Sequence, residues 1–155
     1  MKKVSIIFFL CLFLLVGCEN KEEESKNEYL AMKSNLLKEK KYTDIENLPL
    51  DITVKIDRED EELVKYKVIL NNPKENMNNI KAMAIHNYYS EELFPSVGLF
   101  DKEQTLLTTD ENKSIELEDT IKTTKNISKI DLELKVWIEY ITDEGDKEEI
   151  YYKTT

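Results

Sequence analysis

Six apolar residues, Ile130, Leu132, Leu134, Val136, Ile138 and Tyr140, alternate strictly with Asp131, Glu133, Lys135, Trp137 and Glu139. A helix would scatter those positions around its axis, whereas a strand places them on one face. The segment is therefore expected to form a long, half-buried strand. Asp143-Glu144-Gly145-Asp146 supplies turn chemistry behind it, and Glu149 to Lys153 returns as a closing strand. The same period of two governs Ile52, Val54 and Ile56, and again Val64, Tyr66, Val68 and Leu70, whose alternates are Lys65 and Lys67. Asn71-Asn72-Pro73 stops the second of these, because proline cannot continue a ladder. Ile80 to Tyr89 reads as a third strand, apolar on both faces. Shorter strands are expected near Gln104 to Thr108 and Ser114 to Glu118. About seven short strands with turn signals every 8–12 residues or so indicate an antiparallel sandwich.

Upstream of Pro49 the period changes. Tyr29, Leu30, Leu36 and Leu37 recur at helical spacing, with Met32 beside them and Asn27 as an N-cap. A short amphipathic helix over Asn27 to Tyr42, packed on the domain, is expected. Glu19 to Lys26 is charged and poor in apolar residues and reads as a flexible tether.

Tyr66 to Leu70, Asn71-Asn72-Pro73 and Ile80 to Asn87 resemble two strands of an immunoglobulin-like or fibronectin-type domain. Ile130 to Tyr140 and the terminal hairpin resemble its last two. The resemblance spans Leu50 to Lys153 and implies a mainly β, immunoglobulin-like antiparallel sandwich. It lacks the cysteine pair of true immunoglobulin domains, and a fold of this kind does not specify a function.

The amino terminus carries a different signal. Lys2 and Lys3 precede the uncharged apolar run Val4 to Val16, and Gly17 sits directly before Cys18. That is the layout of a secretory signal peptide. A membrane span needs about 20 apolar residues, more than this run supplies. Leu15-Val16-Gly17-Cys18 resembles the lipobox of bacterial lipoproteins. The resemblance implies cleavage after Gly17, a diacylglyceryl thioether on Cys18, and a chain held by lipid on the extracytoplasmic face of the cell membrane. The chain then divides into a removed peptide (1–17), a lipidated cysteine and tether (18–26), a helix with its connection (27–48) and a β domain (49–155). The Lys-, Asn-, Ile- and Glu-rich composition, with little Gly, Pro or Arg, favours a Gram-positive host.

Charge and cysteine content narrow the chemistry. The removed peptide holds two lysines and no acid, so a formal charge of −10 becomes −12. Nucleic acid, which asks for a basic face, is not an expected partner. Acyl chains, not an electrostatic hold on anionic lipid, would anchor the protein. On the lipobox resemblance Cys11 would leave with the signal peptide and Cys18 would be acylated, so no disulfide, thiolate nucleophile or thiolate metal site is expected.

His86 is the single histidine. Ser90 and Ser96 are available to it, but neither stands in a Gly-x-Ser-x-Gly elbow. One histidine is too few for an ordinary transition-metal site. Asp143, Glu144 and Asp146 around Gly145 could form a calcium loop, but their spacing departs from the EF-hand pattern and a hairpin turn accounts for them. The acid run Asp57, Glu59, Asp60, Glu61 and Glu62 reads as a solvated turn. The two glycines after Cys18, Gly98 and Gly145, cannot build a phosphate-binding loop. No catalytic residue, metal ligand or cofactor is therefore assigned.

Aromatic residues gather at Tyr88-Tyr89, at Phe94 with Phe100, and at Tyr151-Tyr152. The stretch Leu93-Phe94-Pro95-Ser96-Val97-Gly98-Leu99-Phe100 puts large apolar groups in a connection. Phe94, Pro95, Leu99 and Phe100 are the candidate contact residues, the alternative being a loop folded back over the core. The expected role is a binding or envelope-assembly module with a protein partner. An envelope hydrolase or accessory subunit using carboxylates, and a structural spacer, are the alternatives.

Overall fold

The computed structural model describes residues 21–154. Gly17 and Cys18 lie outside the described residues. One helix, α1 (residues 21–38), precedes eight strands. These are β1 (Asp51–Arg58), β2 (Leu63–Asn71), β3 (Met77–His86), β4 (Ser96–Val97), β5 (Gln104–Leu106), β6 (Ile115–Lys122), β7 (Leu134–Ile141) and β8 (Lys147–Lys153). All pairings are antiparallel. One sheet has the order β1-β2-β6; the other has β4-β3-β7-β8, with β5 also on β3. Placing the first, second and sixth strands in one sheet and the third, seventh and eighth in the other is the connectivity of an immunoglobulin-like sandwich.

The inner faces meet in the main core. Val64, Tyr66, Val68, Leu70, Ile115, Leu117 and Ile121 of the smaller sheet face Ala82, Ala84, Val136, Ile138 and Ile150 of the larger. Tyr66 to Leu70 and Ile130 to Tyr140 supply the alternation this needs, and β2 alternates buried and half-buried along its whole length.

A second core lies outside the larger sheet. Met83 and Ile85 of β3, Trp137 of β7, and Phe94 and Leu99 of the β3–β5 connection pack against Tyr29 and Leu36 of α1. The helix contains no Gly, Pro or β-branched residue, which suits a continuous helical run. Positions 29, 32 and 36 share one side of it. Glu28 Oε1 lies 2.5 Å from Lys81 Nζ on β3, and the Phe94 N–H donates to the Tyr29 hydroxyl at 2.7 Å inside the core. Lys135 of β7 donates to the Leu37 carbonyl near the helix C-terminus at 3.3 Å, where a cation suits the helix dipole.

Several boundaries differ from the sequence reading. Residues 21–26 are helical and α1 ends at residue 38, so the helix begins earlier and stops sooner than Asn27 to Tyr42. Glu and Lys lack apolar periodicity yet are good helix formers, and the Glu28–Lys81 pair ties this half to the sheet. The Glu39 carboxylate then accepts the Lys40 and Lys41 N–H groups at 2.8 and 2.7 Å and turns the chain. The third strand is Met77–His86, not Ile80 to Tyr89, with a register shift where Asn79 takes a φ of 51°. The Glu91 to Asp101 loop contains β4, which pairs with Ala82 and Met83. Gly98 within it has a φ of +72°, and a Cβ there would stand 2.6 Å from the Ile80 carbonyl oxygen. The last long strand opens at Leu134 instead of Ile130, because residues 130–133 follow a 3-10 turn at Ile127–Lys129 and join no strand.

Candidate functional site

Irregular residues 130–133 form one wall of a groove of about 1020 Å³. The opposite wall is Tyr42 to Glu46, which links α1 to β1, and Tyr152 to Thr154 run between the two. Ile130, Leu132 and Tyr152 rest on the main core and give the groove an apolar floor. Tyr42 is half-buried, and Ile45 on the rim is 70% exposed.

The walls are pinned by hydrogen bonds. The Asn87 amide donates to the Asp131 carbonyl at 2.9 Å and accepts the Glu133 N–H at 3.1 Å. The Asn87 N–H donates to the Glu133 carbonyl at 3.2 Å. Thr43 N–H donates to the Tyr151 carbonyl at 2.7 Å, and Thr154 N–H to the Leu134 carbonyl at 2.9 Å. The concavity is thus built into the backbone, as binding sites usually are.

Its rim is acidic. Asp44, Glu46, Asp131 and Glu133 face a single cation, Lys153. Glu133 holds Lys153 at 2.7 Å and raises its pKa. Asp44, Glu46 and Asp131 have no salt-bridge partner among the described residues.

His86 lies elsewhere, inside the sandwich. Its side chain is fully buried, with Nε2 at 3.7 Å from Asp119 Oδ2. Its ring meets Tyr66 and Phe94 edge-on, with centroids 5.5 and 5.0 Å away. Tyr88 N–H donates to Nδ1 at 3.2 Å, so the proton of the neutral ring belongs on Nε2, facing Asp119. Burial lowers the imidazole pKa, and the Asp119 charge opposes that shift. Burial raises the Tyr66 pKa, reinforced by Asp119. The Tyr66 hydroxyl, His86 Nε2 and Asp119 Oδ2 make no hydrogen bond among the described residues. The Ser90 hydroxyl is engaged with Glu92 in its own turn, and Ser96 stands on β4.

The Phe94–Phe100 stretch is largely folded in. Phe94 is 9% and Leu99 3% exposed, both in the core beneath α1. Pro95 is half-buried and its carbonyl accepts the Ala84 N–H at 3.1 Å. Phe100 is 49% exposed and leans on Tyr29 with ring centroids 5.4 Å apart. Of the four candidate contact residues, only Phe100 presents substantial surface. The Asp143 carboxylate receives the Asn76 and Asn78 side-chain amides at 2.7 and 3.1 Å, and Asp146 closes the turn through Thr142. The Asp60 carboxylate caps the β1–β2 turn by accepting the Glu62 and Leu63 N–H groups. The only arginine, Arg58, donates to the Asp60, Glu61, Thr123 and Lys125 carbonyls. Among the described residues no three His, Cys, Asp or Glu side chains gather to hold a metal, and no helix is long and apolar enough to cross a membrane.

Reading the sequence alone missed the groove. Tyr151-Tyr152 marked one edge of it, but Tyr42, Ile45 and Asp131 converge there only through the fold. The chain matches no protein-family model, no curated protein and no solved structure.

Proposed function

We propose that this chain is a lipid-anchored, extracytoplasmic binding module, held to the membrane through Cys18 and engaging a protein partner at the groove between residues 42–46 and 130–133. The observation that carries the reading is a pinned concavity with an apolar floor and a carboxylate-rich rim, the make-up expected of a recognition site. The Leu15-Val16-Gly17-Cys18 lipobox supports the anchor. With Phe94 and Leu99 committed to the core, the groove replaces their loop as the preferred contact surface.

A photo-crosslinking side chain at Ile45, in the full chain on intact cells, tests this. The expected result is a discrete adduct at Ile45 and none at Lys55, which is exposed on β1 and does not line the groove. Equal labelling at both positions contradicts the assignment, and loss of fatty-acid labelling in Cys18→Ala checks the anchor.

A second reading, an envelope hydrolase, draws on the same four carboxylates. Glu133 is tied to Lys153, which leaves Asp44, Glu46 and Asp131 for acid–base work. Substrate turnover that Asp131→Asn abolishes would favour it.

A further inference from the structure

We infer that the occupant of the groove is an extended, basic peptide segment of the partner, carrying lysine or arginine alternately with aliphatic residues. The inference rests on the binding-module reading and names its ligand. Three features of the groove point the same way.

Charge comes first. The rim carries four carboxylates against one ammonium, and that ammonium is already bound to Glu133. Asp44, Glu46 and Asp131 remain for cations brought by a ligand. Facing charges of opposite sign fix register and speed encounter. An acidic or phosphorylated ligand would meet repulsion from all three.

The floor excludes a purely ionic ligand. Ile130, Leu132 and Tyr152 form an apolar strip, and Tyr42 and Ile45 continue it up the opposite wall. Burying that strip needs apolar groups interleaved with the charges. A peptide in extended conformation supplies them, because successive side chains point to opposite sides.

Backbone chemistry distinguishes a peptide from other amphipathic cations. Asp131 and Glu133 give main-chain groups to Asn87. Leu132 between them makes no main-chain hydrogen bond among the described residues, and it belongs to no strand. Its N–H and C=O are left to pair with the main chain of a ligand, as unpaired backbone groups require.

The test titrates the full chain, in detergent micelles, with an acetylated and amidated hexapeptide of alternating lysine and leucine. A linear polyamine of equal charge and a serine–leucine hexapeptide are the comparisons. Saturable binding of the lysine–leucine peptide is expected, at least tenfold or so tighter than either comparison and weakened by salt. Combining Glu46→Gln with Asp131→Asn should weaken it by about tenfold. Ile45→Ser, a surface change with little bearing on folding, should weaken it without altering the salt dependence. Equal binding of the polyamine would overturn the peptide assignment. So would binding that ignores the two carboxylates, or none at all. The Ile45 crosslink separates the two levels: an adduct on cells with no peptide binding leaves a binding module whose ligand is not basic, whereas no adduct removes the module itself.

Discussion

The two sheets solve the same problem differently. In the β1-β2-β6 sheet one face meets the core and the other meets water. Lys65 pairs with Glu118 at 3.0 Å across the strands, and Lys67 with Glu116 at 2.6 Å, all on that wet face. The β4-β3-β7-β8 sheet buries both faces, with Ala82, Ala84, Val136 and Ile138 inward and Met83, Ile85 and Trp137 outward under α1. Burial therefore alternates cleanly along β2 and is blurred in β3 and β7, although the β7 sequence itself alternates. Where alternation fails in a strand that still pairs well, a third layer is covering it.

The largest expected break comes from the covered face. Trp137→Ala removes the biggest fully buried side chain and should cost about 3–5 kcal/mol, read as a fall in the denaturant midpoint of unfolding. A loss below about 1 kcal/mol would mean that the helix is a loose cover. Gly98→Ala should cost more than about 1 kcal/mol, because the left-handed backbone and the Ile80 carbonyl both reject a Cβ. An unchanged midpoint would show that the Phe94 to Phe100 stretch shifts freely. Tyr29→Phe leaves the buried Phe94 N–H without its acceptor, at about 1–3 kcal/mol. On the wet face Lys67→Ala should change stability by no more than about 0.5 kcal/mol. Equal costs on the two faces would erase the distinction.

His86 tests the space between the sheets by pH. Tyr66 of β2 and Asp119 of β6 face it, with Tyr88 and Phe94 beside the ring. Its folded pKa lies below the ordinary value, mainly through burial. As the pH falls below about 6.5 the unfolded chain takes up the proton first. Stability from the neutral ring is thus full above that pH and declines as the pH drops toward the lowered folded value. Unfolding midpoints from pH 8 to 5.5 should show this decline, and His86→Leu should remove its share of it.

Much of the architecture was readable from residues alone. The strand at Val64 to Leu70 stood out because it needs only one buried face, and the one near the carboxyl terminus because Lys135 and Glu139 keep its second face polar around Trp137. So did the turn at Asp143 to Asp146, since Gly145 and its acids have little other use. β4 escaped notice, for two residues carry no period. The tether over residues 21–26 proved helical because α1 is anchored by an ion pair to Lys81, a partner far away in sequence. Phe94 and Leu99 looked like contact residues because a loop gives no sign of what lies above it. The groove was illegible for a related reason. Its two walls are non-strand segments from distant parts of the chain, one fixed by Asn87 and the other by the Tyr151 carbonyl, and such backbone leaves no periodic trace.

Trp137 is the only tryptophan in the chain, so its fluorescence reports on the covered face alone. Acrylamide quenching of the full chain should be compared with Leu36→Asp, which places a charge in the fully buried helix contact. The expected result is blue-shifted, weakly quenched emission in the native chain and strongly quenched emission in the variant. Native emission quenched as readily as that of the denatured chain would contradict a helix layered on the larger sheet.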